Sequence, residues 1–208
     1  MSNLTNFNSL MKQSWSGVAV LSIFYIVIVI ALSLMSPWFF SFNNAMNIGI
    51  NMSYIGLMAA AGTPLIIAGG LDLSVAAVAG LTGVLITIFF GWIDNIWLAV
   101  ALSLCFGAFI GAFNGFLATV LKFNPLIATL GTMSIITGFS LVLTGGLTKS
   151  MMLPEFNYIG VGRIFNVPIP LIIMLLVMFL LWVLMSKTKF GRFLYASGNN
   201  PDASLLLG

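Results

Sequence analysis

The chain has 208 residues, 61% of them hydrophobic and only 5% charged, with a net charge of +3. A soluble globular domain carries about a quarter charged residues, so the composition excludes one and points to a bilayer as the solvent. The few, scattered positive charges also exclude a nucleic-acid-binding surface.

Lipid forces the backbone into helices or closed barrels. The apolar runs here are continuous rather than alternating, so the sequence predicts an all-α, polytopic membrane helical bundle. The charged residues punctuate six apolar stretches near 17–35, 46–68, 74–92, 96–121, 125–146 and 168–186, each about long enough to span. The absence of histidine removes imidazole from any acid–base or metal scheme. The single cysteine, Cys105, lies within an apolar run and reads as a packed small hydrophobe rather than a reactive thiol.

The first run is too long for the apolar core of a signal peptide and reads as a retained span. Pro37 and the asparagines of "SPWFFSFNN" at 36–44 mark the turn into the second. Next comes "AGGLDLSVA" at 68–76, where Gly69 and Gly70 break the second span and Ser74 opens the third. Asp72 is the only charge between Lys12 and Asp94. A carboxylate is costly in hydrocarbon, so it must sit at a boundary, in a polar cavity or in neutral form. It can cap the third span's free amides and meet the positive end of its dipole. Equally, two spans broken by glycines and an acid describe a discontinuous pair whose turn dips toward a substrate path. The depth of Asp72 separates the two readings.

On the fourth span, "GAFIGAFNG" sets Gly107, Gly111 and Gly115 four residues apart on one face, the spacing that lets helix backbones approach closely in lipid. That face serves packing within the chain or a dimer seam. Asn114 lies on the same span, and Thr129, Thr132, Ser134 and Thr137 lie on the fifth. Such side chains glue neighbouring helices or line a path for a polyol. "TGGLTKS" at 144–150 imitates a phosphate-binding loop, but Thr148 stands before Lys149 where that loop needs glycine. Any ATP hydrolysis therefore falls to another chain. The segment 148–168, with Pro154, Gly160, Gly162 and Pro168, reads as an ordered surface loop.

The chain closes with "KTKFGRFLYASGNNPDASLLLG". Residues 187–208 read as a cytoplasmic loop holding the start of a short helix. Asn200 can cap it, Pro201 suits its first position, Asp202 complements its dipole and Gly208 can stop it. Such a helix serves as a docking knob or as an ordinary connection. Lys12, Lys122, Lys187, Lys189 and Arg192 share one side if both ends of the chain are cytoplasmic, which leaves only Lys149 and Arg163 outside. Trp15, Trp38, Trp92, Trp97 and Trp182 fall near predicted span ends, as an aromatic belt requires. No nucleophile–base pair or metal cluster suggests an enzyme.

"AGGLDLSVAAVAG", "NPLIATLGTMSIITGFSLVLTGG" and "GRFLYASGNNPDASLLLG" together resemble the permease subunits of ABC importers in the ribose-type branch, which handles ribose, galactose, arabinose and xylose. The resemblance runs over essentially the whole chain as one transmembrane domain, 1–208. It implies a multi-pass protein of the bacterial inner membrane that binds no cofactor itself. ATP with Mg would be held by partner ABC ATPase subunits. A second permease subunit, alike or different, and a periplasmic or lipid-anchored sugar-binding protein complete the implied assembly, set in membrane lipid.

The resemblance also implies that Asn200, Pro201, Asp202, Ala203, Ser204 and Gly208 form a segment coupling to the ATPase. The family pattern there is Glu-Ala-Ala-x-x-x-Gly, so Asp202 replaces Glu and Ser204 replaces the second Ala. Family members continue past this glycine into further spans, so the chain reads as the N-terminal part of a longer permease, truncated in mid-motif. A fragment lacking those spans would not transport. The rival reading from another class, a self-sufficient secondary transporter or channel, needs paired intramembrane charges or a proton relay, and Asp72 is its one candidate acid.

Overall fold

The computed structural model describes residues 2–151, 153–199 and 204. In chain order the elements are α1 (Ser2–Met35), α2 (Phe42–Ile67), α3 (Val75–Ile93), α4 (Ile96–Thr119), α5 (Pro125–Thr144), α6 (Pro154–Val161), β1 (Arg163–Ile164), β2 (Val167–Pro168), α7 (Ile169–Lys187) and α8 (Lys189–Asn199). Six stretches are long and apolar enough to cross a membrane: Gly17–Met35, Phe42–Ile67, Val75–Ile93, Ile96–Thr119, Pro125–Thr144 and Ile169–Lys187. They match the six expected spans, with boundaries shifted by a few residues.

The chain divides after Gly49 into two compact units. The first holds α1, a turn over 36–41 and the opening of α2. In that turn the Asn44 side-chain amide donates to the Phe39 carbonyl (2.8 Å). In the second unit α3, α4 and α5 pack around Leu81, Leu85, Ile110 and Ile136. Gly107 sits against Thr82 and Val78, where a Cβ would already press on the Thr82 methyl at 3.0 Å. Most other large apolar side chains face outward, as Leu104, Ile127, Ile135 and Val142 do. In water that surface would be untenable, and in lipid it is the required solvent face.

Glycine pairs end two spans by the same device. At the end of α2, Gly69 adopts φ +81°, its N–H donates to the Ile66 carbonyl, and Gly70 N–H reaches back to Leu65. At the end of α5, Gly145 (φ +64°) donates to Val142 and Gly146 to Leu141. Each is a Schellman stop, in which a left-handed residue lets two amides satisfy the helix's last carbonyls. The "TGGLTKS" glycines are therefore a helix end, consistent with its rejection as a phosphate loop. Tight capped turns join the core helices: the Asn95 side chain accepts from Leu98 N–H before α4, and Asn124 accepts from Leu126 N–H before α5.

The structure changes two expectations. The 148–168 segment is ordered as expected, but it contains α6 and a two-residue hairpin whose tip residues, Phe165 and Asn166, both have positive φ. The segment after the last span is helix already from Lys189, not a loop up to Asn200. Thr188 explains the correction. Its hydroxyl donates to the Leu184 carbonyl at the end of α7 (2.6 Å) and accepts from Gly191 N–H (3.3 Å), closing one helix and starting the next. Lys189 and Arg192 are spaced along this amphipathic helix, while Lys187 ends α7. Asn200, Pro201, Asp202, Ala203 and Gly208 lie outside the described residues, while Ser204 is helical and half-buried.

Candidate functional site

Gly69, Gly70, Asp72, Ser74, Asn114, Thr129 and Thr132, separated by up to 63 positions in sequence, converge on one place in the bundle. Asp72 Oδ1 accepts twice from Ser74, from its backbone N–H (2.7 Å) and its hydroxyl (2.6 Å). Asn114 Nδ2 donates to Ser74 Oγ (2.9 Å), and Thr132 Oγ1 donates to Asn114 Oδ1 (2.7 Å). The donors all point one way, from α5 through α4 to the carboxylate at the start of α3. Because the Ser74 proton goes to Asp72, Ser74 Oγ can only accept from Asn114, and this fixes the Asn114 amide orientation. Beside the chain, Leu73 N–H donates to Thr129 Oγ1 (3.3 Å), whose own proton goes to the Pro125 carbonyl (2.8 Å).

Ser74, Asn114, Thr129 and Thr132 are buried. Polar groups removed from water are tolerated when they are hydrogen-bonded, and no buried side-chain polar atom lacks a partner among the described residues. Asp72 is half-buried and borders open space. A cavity of about 340 Å³ opens there, lined among others by Gly69, Asp72, Gly111, Asn114, Gly115 and Thr129. That volume is within the range of small-molecule sites.

Two independent measures give the depth. The turn at Asp94 and Asn95 joins α3 to α4, so the two helices are level at that end. α3 has 19 residues and α4 has 24, so at about 1.5 Å per residue α3 stops roughly 8 Å short at the other end. Side-chain bonds agree. Ser74 meets Asn114, five residues before Thr119 ends α4, and Asn114 meets Thr132, seven residues after Pro125 opens α5. By helix rise these positions lie about 8–10 Å inside the α4–α5 connection. The turn carrying Asp72 is therefore recessed into the bundle; its acid holds Ser74, the residue before α3, rather than capping an amide of α3, and it borders the cavity.

The three spaced glycines separate. Gly107 packs against α3, whereas a Cβ at Gly111 or Gly115 would meet open space, and both border the cavity. From the sequence they read as packing within the chain or a dimer seam. Gly111, Asn114, Gly115 and Ala118 recur at i, i+3, i+4 and i+7, a stripe with Asn114 at its centre that could have placed them at a polar site. Ser134 and Thr137 stand apart: both are exposed and bond only their own helix, to Leu130 and Met133 carbonyls. Among the described residues no group of three or more acids or cysteines could hold a metal ion.

The protein family described as "branched-chain amino acid transport system / permease component" matches residues 44–208. The chain is 35% identical over 187 residues to the ribose import permease protein of Escherichia coli (strain K12), covering 88% of this chain and 58% of that protein. The ribose import permease protein of Bacillus subtilis (strain 168) is 38% identical over 88% of this chain and 57% of its own length. The L-arabinose transport system permease protein of Escherichia coli (strain K12) is 31% identical over 93% and 59% respectively. The chain thus spans less than two thirds of the length of these relatives. No solved structure matches it.

Proposed function

The chain belongs to this permease family, and from that premise we propose that it forms part of the membrane-spanning subunit of an ATP-driven importer for a monosaccharide of the ribose or arabinose kind. The observation that carries this reading is the recessed cavity bordered by Asp72, Asn114 and Thr129. A sugar presents hydroxyls in every direction, and the half-buried Asp72 carboxylate, with one oxygen not used by Ser74, can accept from them. The family's description mentions branched-chain amino acids, which would instead require an apolar pocket with paired charges for the zwitterion. The sugar-permease relatives favour the polyol.

The permease does no covalent chemistry. ATP, with Mg, is bound and hydrolysed on separate ATPase subunits, a second permease subunit encloses the other half of the path, and a sugar-binding protein delivers substrate from outside. Both ends of this chain face the cytoplasm, where residues 200–208 dock on the ATPase. Nucleotide-driven closure then biases the bundle between inward- and outward-open states, which requires that the two states bind the closed ATPases with different affinity.

Cells producing the gene product that contains this chain, with its ATPase and binding protein, are expected to take up labelled ribose or arabinose only while ATP is maintained. Uptake driven by a sodium or proton gradient without the ATPase would overturn the assignment. The docking role has its own test. Asp202→Lys combined with Gly208→Trp is expected to reduce co-purification of the ATPase by about tenfold, the equivalent of about 1.4 kcal/mol, with membrane insertion intact. Undiminished co-purification would remove residues 200–208 from the docking surface.

A further inference from the structure

α8 is placed unlike any other helix in the second unit. Near its start, a Cβ at Gly191 would collide with the Met185 carbonyl at the end of α7. Seven residues later, a Cβ at Gly198 would collide with the carbonyl of Ile67, the last residue of α2. Seven residues of helix cover about 10 Å, close to the 8–10 Å between packed neighbouring helices. α2 and α7 meet where the Met174 side chain covers Gly56, with no room for a Cβ between them. α8 therefore crosses from the end of one span to the end of the next and lies across both. A helix in that position lies where hydrocarbon gives way to headgroups.

Its surface has three faces. Gly191 and Gly198 turn inward to the span ends, and Tyr195 borders the groove between α2 and α7. Phe190 and Phe193 form an apolar strip that is 52% and 63% exposed. Lys189, Arg192 and Asn199 are exposed on the remaining side, and α8 contains no acid. Two aromatics and two cations that meet no ring partner or acid among the described residues, at the level of the span ends, complement an anionic phospholipid surface in both polarity and charge.

We propose that α8 is a membrane-interface helix, with Phe190 and Phe193 bedded at the acyl boundary of one leaflet and Lys189 and Arg192 holding anionic phospholipid headgroups. The placement does not depend on what the bundle transports. It makes α8 a lipid-anchored bar across the ends of α2 and α7.

The test uses the whole chain with Cys105→Ser, reconstituted in nanodiscs of phosphatidylcholine with or without phosphatidylglycerol. Spin labels are attached at Phe193→Cys, at Phe190→Cys as a second reporter, and at Asn199→Cys. Both strip positions are expected to favour collision with oxygen over a water-soluble nickel chelate, and position 199 the reverse. Phosphatidylglycerol should strengthen this contrast about tenfold in favour of the bedded state, and Lys189→Gln with Arg192→Gln should abolish that lipid dependence. Labels at 190 and 193 that meet the nickel chelate as freely as 199 would overturn the proposal. So would labels shielded from both reagents, which would mean that protein covers the strip, and so would a depth indifferent to phosphatidylglycerol.

Discussion

Asp72→Ala is expected to destabilise the bundle by about 2 kcal/mol, because one substitution removes the acceptor from two buried donors, the Ser74 N–H and hydroxyl. Ser74 itself is fully buried, and water entering from the cavity beside Asp72 recovers only part of the loss. Two unsatisfied donors would cost more in a soluble core, but polar contacts within lipid measure smaller because the unfolded chain in the membrane also finds partners. Thermal unfolding in detergent, followed by circular dichroism, reads this loss. Uptake should disappear with it.

Asp72→Asn separates architecture from charge. The amide oxygen preserves an acceptor for both Ser74 donors, so stability should change little, and sugar uptake should persist at a substantial fraction of the original rate. An ion-coupled transporter that moves a proton or cation through this acid would lose uptake entirely in the same variant. Asn114→Leu is the complementary control. Ser74 keeps its bond to Asp72, and Thr132 keeps an alternative acceptor in the Ala128 carbonyl (3.0 Å), so no donor is stranded. The fold should tolerate leucine while uptake falls by tenfold or more, about 1.4 kcal/mol in transport efficiency. Unimpaired uptake in Asn114→Leu would reduce the polar chain to helix glue.

The six spans were legible because each is a charge-free run of spanning length, and in lipid such a run has one stable fate. The convergence of Gly69, Gly70, Asp72, Ser74, Asn114, Thr129 and Thr132 was legible only as a set of costly residues, since polar groups within membrane helices need partners. Which residue bonds which depends on helix rotation, and a hydrophobic pattern uniform around the helix carries no rotational phase. For the same reason the spacing of Gly107, Gly111 and Gly115 shows that a face is small, not what that face meets. α8 was hidden differently. Its helix start depends on Thr188 serving two helices at once, a tertiary arrangement rather than a local propensity.

Gly198→Val is expected to uncouple ATP hydrolysis from transport. A valine Cβ would overlap the Ile67 carbonyl and crowd the Ala68 backbone, and a helix end held by Schellman bonds has little freedom to yield. The substitution therefore forces α8 off the end of α2. Ile67 is only five residues before Asp72, so on the proposed function the path from the ATPase-docking segment to the cavity is short: residues 200–208, then α8, then the close contact at Gly198, then the turn at 68–74. Lifting α8 breaks that path while leaving Asp72, Asn114 and Thr129 of the cavity and the docking residues unsubstituted. ATPase association and basal hydrolysis should remain, while sugar-stimulated hydrolysis and uptake fall about tenfold or more. Gly138→Ala provides the comparison, since a Cβ there meets open space and helix propensity favours alanine by about 1 kcal/mol. It should leave uptake unchanged and stability equal or higher. If Gly198→Val transports as well as Gly138→Ala does, force reaches the cavity by another route, and the contact between α8 and α2 serves only to position the helix.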